Sequence, residues 1–179
     1  MPTPTTLPNS FTAGDVLTAA NMNLLRGAFR ILQVSQAAKT DTFTMSSTTF
    51  ANITGLSVTI TPFSNTSKFL LVANVNVGPG ELTTNAAELR FSGGNSTAFV
   101  GDTAGSRIRI GAQALTNTGQ HMDNVTMVYL DSPATASAVT YTVQIRTTGT
   151  VYVNRSFTDT DNASHARAAS SLIVLEVSA

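Results

Sequence analysis

The closing segment Ser171-Leu172-Ile173-Val174-Leu175-Glu176-Val177 carries apolar side chains on both alternations, whereas most other extended stretches of this 179-residue chain alternate polar with apolar. A strand with one face on its core and one in water reads apolar, polar, apolar. A strand that is apolar on both sides calls for cover on both. In a single sandwich the natural cover for the outer side is another copy of the chain. The segment therefore predicts a self-assembling β protein whose subunit interface includes the closing strand, with Leu172 and Val174 on one face and Ile173, Leu175 and Val177 on the other.

Period two runs through most of the chain. Leu56, Val58 and Ile60 alternate with Ser57, Thr59 and Thr61, and Val139, Tyr141, Val143 and Ile145 alternate with polar neighbours. Phe69, Leu71, Ala73, Val75 and Val77 line one face of a longer strand whose other face begins with Leu70 and Val72 and ends with Asn74 and Asn76. Further strands are predicted near 31, 42–45, 87–91, 107–110, 125–130 and 151–154. Turn-forming clusters separate them, among them Gly78-Pro79-Gly80, Ser92-Gly93-Gly94-Asn95, Asp131-Ser132-Pro133 and Thr148-Gly149. Many short strands with a single helical pattern predict an all-β fold, an antiparallel jelly-roll-like β-sandwich.

Two segments precede it. Residues 1–12, with Pro2, Pro4 and Pro8 among threonines, predict an extended arm ordered by what it touches. In residues 13–30 the period changes: Met22, Leu25 and Phe29, continued by Leu32, fall on one helical face, with Thr18 placed to cap a helix that Gly27 weakens near residue 28. That stripe is a candidate attachment face, or a cover for the base of its own sandwich. Residues 31–179 form the predicted sandwich domain.

Composition narrows function. Charged residues make up 11% of the chain, against about 25% in an ordinary soluble domain, so association would reduce a surface poorly equipped for water. The formal net charge is zero, which gives no basic field for nucleic acid. Cysteine is absent, excluding disulfides and thiolate metal sites. The opening residues lack a signal-peptide pattern and no apolar run is long enough to span a bilayer, predicting a soluble product with no membrane insertion.

Few residues suggest chemistry. Asp159 and Asp161 in Thr158-Asp159-Thr160-Asp161-Asn162 could supply oxygens to calcium, but the loop lacks the glycine and distal glutamate of an EF-hand and reads first as a turn. The histidines, His121 and His165, stand apart from any Gly-x-Ser-x-Gly elbow; His121 near Asp123 reads as a polar turn residue. No cofactor and no enzymatic activity are predicted. Arg107 and Arg109 share a predicted strand face, and with Arg146 and Arg155 they could form a donor patch for acidic sugars or a neighbouring subunit's carboxylate; the competing reading is a solvated strand face. A glycan platform is limited by the absence of tryptophan: Tyr141 is core-facing by its alternation, leaving Tyr129 and Tyr152.

The strings FTAGDVLTAANMN, QAAKTDTFTMSSTTFANITGLSVTITP, YLDSPATASAVTYTVQIRTT and VYVNRSFTDTDNASHARAASSLIVLEV together resemble virion structural proteins of tailed bacteriophages, over nearly the whole chain from Phe11 onward. Such proteins are tail-fibre or minor structural proteins whose head is similar to trimeric C1q or TNF-like jelly rolls. The resemblance implies a homotrimer in the virion, made in the bacterial cytoplasm. Its implied partners are itself and other tail or capsid proteins; a module that binds a host surface glycan is the alternative from another class. The chain departs from the pattern in having no long shaft between helix and β domain, and in carrying His165-Ala166 where the family has Tyr-Gly. The first departure makes a capsid decoration protein an alternative to a fibre.

Overall fold

The computed structural model describes Ala13, Gly14, Val16, Thr18, Ala19 and residues 31–80, 85–116 and 121–178. The predicted arm, most of the predicted helix, and Met22, Leu25 and Phe29 lie outside the described residues. The strands are β1 (Ile31–Lys39), β2 (Phe43–Met45), β3 (Ala51–Ile60), β4 (Lys68–Pro79), β5 (Asn85–Ser92), β6 (Ala112–Thr116), β7 (Asp123–Asp131), β8 (Val139–Arg146), β9 (Val151–Val153) and β10 (Ser170–Val177), with a 3-10 turn at Ser96–Ala98.

All strand pairings are antiparallel. β3, β8, β5 and β6 lie side by side in one sheet. In the other, β7 runs along one edge of β4 from Phe69 to Val77. The opposite edge of β4 is therefore shared, first by β10 and then by β9. β1 pairs outside β10, and β2 outside β9. With β1–β2 and β9–β10 each counted as one interrupted strand, the chain changes sheet at every connection except that between β5 and β6. This is the eight-strand jelly roll, in which the closing strand is interior to its sheet.

The alternation sets the core. Phe69, Leu71, Val75, Leu89, Phe91, Tyr141, Ile145, Leu172 and Val174 are among the fully buried side chains between the sheets, each worth about 1.5–3 kcal/mol relative to exposure. Three polar arrangements fix the frame. Tyr141 donates its hydroxyl to Asp131 Oδ2 at 2.7 Å, an oxygen that also accepts from the Asn95 amide at 3.2 Å. Burial, and then this bond, push the Tyr141 phenol well above the ordinary tyrosine range. Glu176, fully buried, accepts from the Phe63 amide at 2.7 Å and from Gln33 Nε2 at 2.5 Å.

The third arrangement lies where β9 ends. Asn154, fully buried with φ 64, donates Nδ2 to the carbonyls of Lys39 and Asp41 at 2.8 and 2.9 Å and accepts from Ser170 Oγ at 2.6 Å. It ties the β1–β2 bend to the β9–β10 pair.

Two expectations are corrected. Residues 107–110 form no strand: the Arg-Ile-Arg-Ile alternation gives a preferred face but no partner, and Ile108 stays 49% exposed. The strand is instead β6, Ala-Gln-Ala-Leu-Thr, whose buried side are the small residues Ala114 and Thr116. Gly78 and Pro79 continue β4 opposite Tyr152 and Val151 and do not turn. A Cβ on Gly78 would lie 2.2 Å from the Arg155 carbonyl oxygen, so glycine permits this close pairing.

Candidate functional site

The strongest surface feature is the outer face of the β1-containing sheet. Directly paired residues of antiparallel strands point to the same side. Register therefore places Val34, Leu175, Leu70 and Leu130 in one line across β1, β10, β4 and β7, and Gln36, Ile173, Val72 and Val128 in the next. Ile31 and Val177 adjoin them. Beyond Val72 and Val128 the face turns polar, through Ala38, Ser171, Asn74 and Thr126 to Asn76 and Asn124. The asparagines hydrogen-bond across the strands: Asn74 Nδ2 donates to Asn124 Oδ1 at 3.0 Å, and Asn124 Nδ2 to Asn76 Oδ1 at 3.1 Å.

Exposure is substantial at the apolar end. Val34 is 58% exposed, Val128 50% and Leu130 49%, while Leu70, Val72, Ile173, Leu175 and Val177 are half-buried. From the Val34 line to the Asn76 line no side chain of this face is ionisable; Lys68, opposite Val177, stands at its margin. Of the residues the sequence assigned to a subunit interface, Ile173, Leu175 and Val177 lie on this face. Leu172 and Val174 do not. They point inward and are fully buried in their own core, so they cannot touch a neighbour.

The strand alternation of Leu70 and Val72 was legible in the sequence. Its continuation into Val34, Val128 and Leu130 depends on which strands neighbour β10, and periodicity does not carry that.

A second feature lies on the other sheet. Thr48, Thr49 and Phe50, leading into β3, with Arg90 on β5, Arg146 on β8, Thr97, Val100 and the 107–109 loop, border an open cleft of about 600 Å³. Arg107, Arg109 and Arg146 thus meet as the sequence suggested, though the first two come from a loop. Arg155 does not join them. It packs over Tyr152, 3.4 Å from the ring centroid, and with Arg167 it holds Asp159, at 3.4 and 2.7 Å. The Asp159 carboxylate faces two guanidiniums, the opposite of a cation site, and among the described residues no group of three or more His, Asp or Glu side chains is placed to hold a metal ion.

The other candidates are placed as follows. His121 Nε2 lies 2.6 Å from Asp123 Oδ1 in an exposed pair at the start of β7. His165 Nδ1 lies 2.8 Å from Thr160 Oγ1. Tyr141 is buried, Tyr129 stacks on Phe99 with ring centroids 5.1 Å apart, and Tyr152 is covered by Arg155, so none offers an open sugar platform. No described helix is long and apolar enough to cross a membrane.

No protein-family model and no curated protein matches the sequence. Among solved structures, the fold is similar to one titled as the structure of infectious bursal disease virus, Gx strain, at 11% sequence identity and a TM-score of 0.39. That match covers 81% of this chain and 40% of the viral one, so the chain spans less than half the length of the protein it matches.

Proposed function

We propose that the protein is a non-enzymatic structural component of a bacteriophage virion, a short tail fibre or appendage. In this reading it self-assembles as a trimer and attaches to the particle through its N-terminal segment, with Met22, Leu25 and Phe29 at the contact. The observation that carries the self-assembly is the outer sheet face, apolar at one end and uncharged throughout. Beside a three-fold axis each residue meets its own copies, so a charge there would face like charges, and a face that closes around the axis does best without them. A host or virion protein of different sequence imposes no such restriction. Ile173, Leu175 and Val177 would lie toward the three-fold axis, flanked by Val128 and Leu130. Burying the exposed half of one such side chain contributes about 1 kcal/mol.

The phage assignment rests on the sequence resemblance, which spans the sandwich and the segment before it. The N-terminal arm, rich in proline, suits extended docking in a groove, where its ordering cost falls due on binding.

The test has two parts. Light scattering of the full chain reads its mass, and a trimer is the expected result. Negative-stain imaging of phage particles carrying a label on this chain then locates it. Label on the tail supports an appendage, label over the shell converts the reading to a capsid decoration protein, and unlabelled particles would overturn a virion role.

A further inference from the structure

Four of the chain's ten lysine and arginine residues, Arg90, Arg107, Arg109 and Arg146, border one cleft on the β3–β8–β5–β6 sheet. On a chain of zero net charge this is a concentrated positive field. Among the described residues Glu88 is the one carboxylate ion-paired to any of the four, its Oε2 lying 2.8 Å from Arg146 Nε. Arg146 is nevertheless about nine-tenths buried. Gathering guanidiniums, one of them buried, beside a single acid is unfavourable in the empty site, and an anion would relieve it.

The cleft is also organised in advance. Arg90 lies over Phe50, 3.9 Å from the ring centroid, and donates Nε to Gln144 Oε1 at 2.8 Å. Gln144 Nε2 in turn donates to Asn52 Oδ1 at 2.9 Å. Arg109 donates Nε to the Gly101 carbonyl at 2.6 Å. In both arginines the scaffold uses Nε and leaves the terminal Nη pair, the donor edge that grips a carboxylate through two bonds. Arg107 makes no side-chain hydrogen bond or ion pair among the described residues.

The remaining lining mixes the hydroxyls of Thr48, Thr49 and Thr97 with the apolar side chains of Val100 and Ile108. A bare phosphate would leave those groups uncovered. A ring that presents hydroxyls, a C–H face and one carboxylate would use all of them.

We propose that this cleft binds a carboxylate-bearing sugar of an acidic polysaccharide, with Arg107 and Arg109 gripping the carboxylate and Arg90 on Phe50 fixing the ring. This is independent of how the chain assembles. The sequence pointed to Arg107, Arg109 and Arg146 but not to Phe50 and Arg90, which join them from separate strands or their approaches.

The test is calorimetric titration of the full chain with trigalacturonate and with sialyllactose, each beside its methyl ester, which keeps the sugar and removes the charge. At least one acidic sugar should bind saturably, and esterification should weaken it by about tenfold or more. Arg107→Ala should weaken it similarly without moving the melting temperature, because that side chain is exposed. Arg90→Lys, which keeps the charge and loses the planar edge, should also weaken it. Absence of saturable binding by both sugars, esters that bind as tightly as acids, or variants that bind like wild type would each overturn the proposal. So would inorganic phosphate or an oligothymidylate competing as well as the sugar, since the cleft would then be a general anion site.

Discussion

Replacing Asn154 tests whether a single side chain holds the two interrupted strands of the jelly roll in line. In Asn154→Ala the Lys39 and Asp41 carbonyls each lose a donor, and the Ser170 hydroxyl loses its acceptor. The Lys39 carbonyl is the expensive one, because its bond is buried; an unpaired buried group costs about 1–3 kcal/mol. Asp41 is exposed and its carbonyl can turn to water. Losing the net worth of the other two bonds adds about 1–2 kcal/mol. Alanine must also hold φ 64, a left-handed conformation that costs an ordinary L-residue about 1 kcal/mol more than asparagine. The sum is about 3–6 kcal/mol. Asn154→Gly loses the same bonds but accepts the backbone angle, so it should be about 1 kcal/mol milder than alanine. Urea unfolding at one fixed protein concentration reads both as midpoint shifts at constant slope. An alanine variant within about 1 kcal/mol of wild type would refute the bonding argument. A glycine variant less stable than alanine would refute the backbone one.

Other consequences are more local. The unfolded chain releases the Tyr141 proton near pH 10, while the folded chain retains it well above that. Tyr141 stabilisation is therefore complete below pH 10 and declines above it, by about 1.4 kcal/mol per pH unit. Tyr141→Phe should lose stability less steeply with rising pH than wild type, and equal slopes would contradict the assignment. Gly93 has φ 109, and a Cβ there would meet the Thr140 carbonyl oxygen at 2.0 Å. Gly93→Ala should cost more than about 3 kcal/mol, read as loss of soluble folded protein or a large midpoint shift. Asp159→Ala should cost about 1 kcal/mol or less, since its two arginines are partly solvated. Adding calcium should leave the melting temperature of the wild type unchanged.

Alternation in the sequence made the long strands legible because burial of one face leaves a direct record in residue order. It placed the 69–77, 139–146 and 171–177 strands and the inward direction of Tyr141. It failed at Arg-Ile-Arg-Ile, where the pattern exists without a partner, and at β6, where alanine and threonine give too weak a contrast. The closing strand shows the boundary well. Its two apolar sides were visible, but which of them belonged to the core was not, and the answer assigns Leu172 and Val174 to the interior. Strand order, and with it the extension of the outer patch to Val34 and Leu130, arises because short connections cross between the sheets and make neighbours of strands far apart in sequence. The arginine cleft was half visible, through Arg107, Arg109 and Arg146. Arg155 was drawn away by Asp159 and Tyr152, and Phe50 and Arg90 gave no sequence signal at all.

The double variant Val128→Asp, Leu130→Asp probes the sheet face most directly, because both side chains are about half exposed and absent from the buried core. Sedimentation of the full-length wild type should give the mass of three chains. The variant should sediment as one chain with its far-ultraviolet circular dichroism intact. A wild type that sediments as a single chain, or a variant that remains a trimer with two carboxylates on each face, would contradict self-assembly through this sheet.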